Sequence, residues 1–79
     1  MTHELKTWPD SYWPIFLNIK NFDIRVNDRD FKVGDKLKFR EYDPKTELYT
    51  GRVCFREICF ILGSNPYIKL KNKVILSFK

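Results

Sequence analysis

The sequence predicts a mainly β domain with one short helix, in which about five strands curl into a small β-barrel. Apolar residues alternate with charged ones in several short runs, which is typical of strands with one buried face. Pro, Gly, Asn and Asp separate these runs at short intervals and predict turns. A flat open sheet would leave its edges and one face exposed, whereas a curled sheet protects both.

The composition is that of one folded domain spanning residues 1–79. Of the 79 residues, 43% are hydrophobic and 16% aromatic, which excludes a disordered chain. The 15 Lys and Arg against 10 Asp and Glu give a formal net charge of +5. This charge favours a polyanionic partner, with nucleic acid ahead of an anionic membrane surface, although many small proteins carry such a charge without one.

Several classes of protein are not expected. Cys54 and Cys59 lie in one predicted strand about 16 Å apart, too far for a disulfide, so we expect buried, reduced cysteines and a cytoplasmic protein. A single His and no Cys-x-x-Cys exclude a zinc site. The sequence has no apolar run of about 18 residues and no signal-peptide core, so no membrane span is predicted. Gly34, Gly51 and Gly63 are too dispersed for a phosphate loop, and no cofactor is expected.

The first predicted elements are a strand at residues 3–7 and a helix that follows Trp8-Pro9. Asp10 or Ser11 would cap the helix, and Asn18 would end it in a left-handed conformation. Pro14 is compatible with this helix only in its first turn. Four residues at helical spacing form the predicted apolar face: Tyr12, Trp13, Phe16 and Leu17.

The next strand is predicted from the alternation of Phe22, Ile24 and Val26 with Asp23 and Arg25. We expect the three apolar side chains to be buried and the two charges to project from the other face.

Turns and a hairpin follow. Residues 27–30 predict a turn, after which Phe31 and Val33 would return to the core. Gly34-Asp35 predicts a second turn. Leu37 and Phe39 then mark a strand that extends to Tyr42, and residues 43–47 predict a hairpin loop.

The longest predicted strand spans residues 49–62. Val53 and Phe55 share one parity, whereas Ile58, Phe60 and Leu62 have the other. One extra residue would bring both sets to the same face, so a β-bulge is expected near Arg56-Glu57. A loop at residues 63–66 and a last strand at Val74, Leu76 and Phe78 complete the domain.

Two basic groups are candidates for binding phosphate. The first comprises Lys6, Lys20, Arg25, Arg29 and Lys32, and the second comprises Lys69, Lys71, Lys73 and Lys79. Four aromatic residues are candidates either for base stacking or for the core: Trp8, Tyr12, Trp13 and Tyr67. Carboxylates interleave the first group, so it is equally compatible with a pocket that reads a base and with local hydrogen bonding at a turn.

Residues 18–39, NIKNFDIRVNDRDFKVGDKLKF, resemble the signature of the ASCH superfamily (activating signal cointegrator homology). The segments HELKTWP, NDRDFKVGD and EYDPKTELYTGR are similar to a small ASCH-like family of phages and bacteria with undefined function. The resemblance implies a PUA-like β-barrel with a cleft near the helix that binds RNA. Lys20 and Arg25 match the signature lysine and arginine, Asp23 replaces the usual Glu, and Asn18 replaces the usual Gly.

Some ASCH-like proteins are amidohydrolases that act on an acylated cytidine. They combine the signature lysine with a threonine three residues later and a distant glutamate. The residue at the threonine position here is Asp23, and Glu41 and Glu57 are the candidates for the glutamate. The resemblance therefore implies a binding module more than an enzyme.

The leading hypothesis is an RNA- or nucleotide-binding module with a basic cleft. Its expected site has three phosphate contacts (Lys20, Arg25 and Arg29), two carboxylates that orient them or accept from a base edge (Asp23 and Asp28), and two rim residues (His3 and Lys6). The alternatives are a small hydrolase acting on a modified nucleoside and a protein-interaction module. The sequence leaves the oligomeric state open.

Overall fold

The computed structural model of the chain describes residues 1–63 and 70–79. In these ranges lie five strands and one helix: β1 (Thr2–Thr7), α1 (Pro9–Phe16), β2 (Phe22–Val26), β3 (Lys36–Asp43), β4 (Leu48–Leu62) and β5 (Lys73–Phe78). The prediction of a mainly β domain with one short helix is confirmed. Residues 64–66 of the predicted last loop lie outside the described residues, as do Tyr67 and Lys69.

The strands form one sheet in the order β1-β3-β4-β5-β2. β1 and β3 are parallel, and the other neighbours are antiparallel. The expected closure into a barrel is wrong, because β1 and β2 lie at opposite ends of this order. β4 is long enough to pair with β3 along its first part and with β5 along its last part.

Two irregularities interrupt the pairing of β4. The register shifts between Ile58 and Phe60, so a bulge exists but lies beyond the predicted Arg56-Glu57 position. A second shift places residues 50–52 opposite Glu41, and Gly51 adopts a φ of 93° there. A positive φ is available to glycine without steric cost, which explains its position at this bulge.

These bulges give β4 an orientation that the sequence did not indicate. Val53, Phe55 and Phe60, expected in the core, are 39%, 54% and 58% exposed. Cys54 and Ile58 are buried, as predicted, and Cys54 lies between the exposed Val53 and Phe55. Because side chains of a strand alternate between faces, an error of one residue in phase exchanges the two sets.

Among the described residues, the core contains ten buried side chains, with Phe31 and Ile61 packed against them. The ten are Leu5, Tyr12, Ile15, Leu37, Phe39, Cys54, Ile58, Val74, Leu76 and Phe78. Phe31 returns to the core as predicted, but Val33 is 63% exposed. Burial raises the pKa of the Cys54 thiol. Cys59 is exposed, contrary to the expectation that both cysteines are buried.

The helix begins at Pro9, two to three residues earlier than the predicted caps require. The Trp8 carbonyl accepts from the backbone N–H groups of Ser11 (3.0 Å) and Tyr12 (2.9 Å). No side chain caps this end, so the prediction that Asp10 or Ser11 caps it is wrong. Pro9 occupies the first turn, where its missing N–H has no intrahelical partner to lose.

The inward face of α1 is narrower than predicted. Tyr12 and Ile15 are buried, whereas Trp13, Phe16 and Leu17 are 38%, 48% and 58% exposed. Pro14 lies inside the helix and not in its first turn. Because α1 has only eight residues, it contains few intrahelical hydrogen bonds, and Pro14 therefore removes few of them.

The C-terminus of α1 is capped from the sheet. Asn18 has a φ of 59°, as predicted for the residue that ends the helix. Arg56 Nη2 donates to the carbonyl oxygens of Ile15 (2.8 Å) and Phe16 (3.3 Å) and to Asn18 Oδ1 (3.1 Å). A cation at this end also complements the negative pole of the helix dipole.

The predicted turns on either side of β3 are confirmed. Gly34 has a φ of 94°, and the Asp35 N–H donates to the Lys32 carbonyl at 3.0 Å. At the hairpin to β4, the Asp43 carboxylate accepts from the Lys45 N–H at 2.9 Å, and the Asp43 carbonyl accepts from the Glu47 N–H at 2.8 Å. Asp favours such turns because its side chain bonds the backbone two residues later.

Candidate nucleic-acid-binding site

β2 has the opposite orientation to the one predicted. Phe22, Ile24 and Val26 are each 51% exposed, whereas Asp23 is only 7% exposed. Asp23 pairs with Leu76 and Arg25 with Val74 on β5. Because cross-strand partners share a face, both charges lie on the side of the sheet that carries the core.

Asp23 is the centre of a charged cluster on this inner face. Its Oδ1 lies 3.3 Å from Lys20 Nζ, and its Oδ2 accepts from Arg25 Nε at 2.8 Å. The side chains of Lys20 and Arg25 are 24% and 23% exposed. The structure thus brings together the three residues that match the ASCH signature.

Arg25 joins the two outermost strands of the sheet. Its Nη1 donates to the Lys6 carbonyl at 3.1 Å, and its Nη2 donates to Thr7 Oγ1 at 3.2 Å. Thr7 is 2% exposed, and its hydroxyl donates in turn to the Leu5 carbonyl at 3.1 Å. β1 is an edge strand, so its outward carbonyls need donors from outside the sheet. Arg25 supplies the donor for the Lys6 carbonyl, and this contact stabilises the inward orientation of the β2 charges.

Arg29 makes a second contact across the same gap. Its Nη1 donates to the Glu4 carbonyl at 2.7 Å, and its side chain is 41% exposed. Asp28 is 65% exposed and lies 3.9 Å from Arg29 Nε. We name the region where Arg25 and Arg29 meet the edge of β1 the β1–β2 seam.

A cleft of about 180 Å³ opens at the seam. Its lining is formed by Leu5, Arg25, Val26, Asp28, Arg29 and Phe31. Two guanidinium groups and one exposed carboxylate therefore border an apolar floor. A planar guanidinium group can donate two parallel hydrogen bonds to the oxygens of a phosphate, and a carboxylate accepts from amino groups of a base or from a ribose hydroxyl.

His3 does not lie on the rim of this cleft. It is 5% exposed, and its Nε2 lies 2.7 Å from Asp35 Oδ2. This hydrogen bond lowers the pKa of Asp35, which also accepts from the backbone N–H of Lys32 at 3.2 Å. The His3 ring packs 4.7 Å from Phe31, a residue of the cleft floor. His3 therefore packs against the floor of the cleft and does not line it.

Lys6 contributes its backbone to the seam, and its ammonium group lies elsewhere. Its carbonyl accepts from Arg25, but its Nζ lies 3.9 Å above the ring of Tyr42. The side chain projects from the exposed face of β1.

The glutamates considered for a hydrolase have partners of their own. Glu41 is 2% exposed and accepts from Thr50 Oγ1 (2.8 Å) and Arg52 Nη1 (2.9 Å). Glu57 lies 2.9 Å from Lys36 Nζ, and that hydrogen bond lowers its pKa. Asp23 is the carboxylate beside Lys20, at the position where the ASCH-like amidohydrolases have a threonine.

The second basic group lies on the surface in its described members. Lys71, Lys73 and Lys79 are exposed in the described part of the chain. Among residues 1–63 and 70–79, no cluster of three metal-ligating side chains occurs. The same residues contain no helix of the length and apolar character that crossing a bilayer requires.

Sequence comparison identifies the family of this domain. The family model for a domain of unknown function, DUF3850, matches residues 2–78. The chain belongs to the DUF3850 family. No curated protein matches the sequence significantly. The matched range includes the whole seam of this DUF3850 domain, from Glu4 to Arg29.

Two features of the DUF3850 domain were not predicted from its sequence. One is the use of Arg56 at the helix C-terminus, for which the sequence offers no local signal because the partners are about 40 residues apart. The other is the exposed apolar face of β2. A signal for it was present, because Asp23 and Arg25 share one parity and oppositely charged neighbours often pair.

Proposed function

We propose that this DUF3850 domain binds RNA or a nucleotide, with phosphate held at the β1–β2 seam. The observation that carries the proposal is the convergence of Arg25 and Arg29 on one cleft, with Lys20 close by on Asp23. The net charge of +5 supports a polyanionic ligand. The likeness to the ASCH signature supports RNA as its class and stays a prediction.

The two arginines have complementary roles in this proposal. Arg25 is fixed by three hydrogen bonds, to Asp23, Lys6 and Thr7. A fixed guanidinium loses little conformational entropy when it binds a ligand. Arg29 is more exposed and has a single hydrogen bond, to the Glu4 carbonyl, among the described residues. Arg29 therefore has donors available for a phosphate oxygen.

The size of the cleft limits what it can enclose. Pockets that bury a drug-sized ligand have volumes of roughly 300–1,000 Å³, compared with 180 Å³ here. The cleft accommodates a phosphate with part of its ribose, so the rest of the ligand would lie outside it. This favours one position along a chain over a fully enclosed nucleoside.

A salt-dependent titration tests the proposal. The probe is a fluorescein-labelled single-stranded RNA of about eight nucleotides, and anisotropy is measured between about 50 and 200 mM salt. Arg29→Ala is expected to weaken binding and to reduce the slope of log K against log salt by about 0.7–0.9. Competition with a nucleoside monophosphate separates nucleotide binding from binding of the polymer.

Lys45→Ala is the matched control, because it removes one positive charge from the exposed hairpin loop. It is expected to leave the salt slope unchanged. Absence of binding at about 50 mM salt would reject the proposal. Equal effects of Arg29→Ala and Lys45→Ala would show that the seam is not the binding site.

A further inference from the structure

The outer face of β2, β5 and the end of β4 is apolar and exposed. Its most exposed members are Phe22 (51%), Ile24 (51%), Val26 (51%) and Phe60 (58%). Leu62 and Ile75 on the same face are partly exposed. Exposed apolar patches of this kind mark binding surfaces in soluble proteins.

The strand register orders this face into rows. Phe22 and Phe60 both pair with Ser77, so the two phenyl rings flank a small side chain. Ile24 and Leu62 both pair with Ile75 and form the row beside it. The first row therefore has a gap at its centre, and the second row is filled.

The spacing of the strands leaves room for one aromatic ring between the side chains of Phe22 and Phe60. Two strand spacings separate their backbones by about 10 Å. A flat ring stacked between two others at van der Waals distance requires about 7–8 Å. Since phenyl side chains can lean inward by a few ångströms, one base fits above Ser77.

The charges around this face suit a phosphate backbone. Lys20 Nζ lies 5.5 Å from the centre of the Phe22 ring. A groove of about 500 Å³ next to it is lined by Ile24, Leu70, Lys71 and Lys73. Among residues 22–26, 58–62 and 73–78, Asp23 is the only carboxylate, and it is buried on the opposite face. Glu57, the next one along β4, is neutralised by Lys36.

We propose that this face stacks unpaired bases of single-stranded nucleic acid, with Phe22 and Phe60 on either side of one base and Lys20, Lys71 and Lys73 near the phosphates. Aromatic side chains combined with a basic groove are the usual means of binding single strands. A second copy of the chain fits less well, because a two-fold interface would bring the same lysines together. The ligand class follows the proposed function, and the surface adjoins the seam through Val26, but Phe22 and Phe60 do not line the seam cleft.

Substitution of the two rings tests the inference. The probe is the same labelled eight-nucleotide RNA, and Phe22→Ala and Phe60→Ala are each expected to weaken its binding roughly 5- to 100-fold. Phe22→Leu keeps the apolar character without the ring and is expected to weaken binding as well. The matched control is Phe55→Ala, which removes an equally exposed ring (54%) from the first part of β4 and is expected to change affinity less than twofold. Circular dichroism checks that each variant is folded.

Cys59 provides a second readout within this face. Its Sγ lies 3.6 Å from Ser77 Oγ, so a base above Ser77 would cover it. Cys59 is exposed, whereas Cys54 is buried, so a maleimide reagent reports on Cys59. RNA at ten times its Kd is expected to slow labelling of Cys59 about tenfold.

The outcomes separate the two proposals. If RNA binding is lost with Arg29→Ala but unaffected by both Phe→Ala variants, the stacking surface is rejected and the seam stands. If binding is lost with the Phe variants only, the seam is rejected and the stacking surface stands. Unchanged Cys59 labelling at saturating RNA also rejects the stacking surface. So does a concentration-dependent dimer that Phe60→Ala abolishes, because the face would then be a protein interface.

Discussion

β3 and β2 carry the same kind of sequence and fold with opposite orientations. Both alternate apolar with charged residues, yet β3 fully buries Leu37 and Phe39 whereas β2 leaves Ile24 51% exposed and buries Asp23. β3 has a strand on each side, and its inner face carries Leu37, Phe39 and the buried Glu41, whose carboxylate has its partners on β4. β2 faces the carbonyls of the β1 edge, which need donors. Alternation therefore sets the period of a strand, and the groups opposite decide which face turns inward.

The largest expected effect comes from removing the central ring of β3. Phe39→Ala is expected to lower the free energy of unfolding by about 3–5 kcal/mol, because the ring is fully buried and leaves a cavity. Ile24→Ala in β2 is expected to cost less than about 1 kcal/mol, since the side chain is half exposed. Urea denaturation of both variants measures the difference.

If Phe39→Ala does not fold, Phe39→Leu with an expected cost of about 1–2 kcal/mol replaces it. Similar costs for the variants at positions 39 and 24 would mean that β2 buries its apolar face after all.

The second effect concerns the buried charge of β2. Asp23→Ala is expected to cost about 2–3 kcal/mol, because Lys20 and Arg25 lose the carboxylate that they share. Asp28→Ala, which removes an exposed carboxylate five residues later, is expected to change stability by less than about 0.5 kcal/mol. A double-mutant cycle between Asp23 and Arg25 is expected to give a coupling of about 1–2 kcal/mol. A coupling near zero would contradict the role of the pair.

The third effect concerns Arg56, a second arginine on the inner face that donates to carbonyl oxygens of another element. Arg56 lies between the buried Cys54 and Ile58 on β4 and donates to the last carbonyls of α1. Arg56→Ala is expected to cost about 1–2 kcal/mol and to reduce the helical signal in circular dichroism. The control is Arg40→Ala, which removes a partly exposed cation that pairs with Glu4 and lies over the Tyr49 ring on the outer face. Equal losses for the two variants would argue against a special role at the helix end.

The smallest effect is a pH dependence at the start of β3. The hydrogen bond to His3 holds the pKa of Asp35 below its ordinary value of 3.8. A carboxyl group whose pKa is lower in the folded state stabilises the fold above the unfolded pKa and loses that contribution as the pH falls through the folded pKa. Stability is thus expected to fall below about pH 4.

Asp35→Asn is expected to flatten this part of the pH profile, measured by urea denaturation between about pH 2 and pH 5. A profile with unchanged slope would show that other carboxylates dominate the acid transition.

Much of the local structure could be predicted from short segments. Asn18 ends the helix with a positive φ, and Gly34 also adopts a positive φ at the turn before β3. The loop after Asp43 forms the expected hairpin. These features depend on residues within about four positions of each other, which a sequence displays directly. The convergence of Lys20, Asp23 and Arg25 was also predictable, because Asp23 and Arg25 lie in one short strand and Lys20 lies just before it.

Several errors concern which side of an element is buried. Phe22 and Phe60 were expected inside and are exposed, and Cys59 likewise. His3 was expected on the rim and is buried on Asp35. A strand reverses its faces with a shift of one residue, and bulges at Gly51 and Cys59 introduce such shifts. The change of parity along β4 indicates a bulge, but it does not fix the residue at which the shift occurs.

By itself, the sequence determined the class of this DUF3850 domain, the order of its strands and helix along the chain, and the chemistry gathered near Asp23. Periodicity and turn residues suffice for that, because they act over a few residues. Only the tertiary structure decided that β2 faces its charges inward, that arginine side chains join β1 and β2 across an open sheet, and that an aromatic face remains exposed. Those outcomes depend on hydrogen-bond acceptors of β1 that lie about 20 residues away along the chain. Which of these acceptors lacks a partner is defined only when the strands assemble into the sheet.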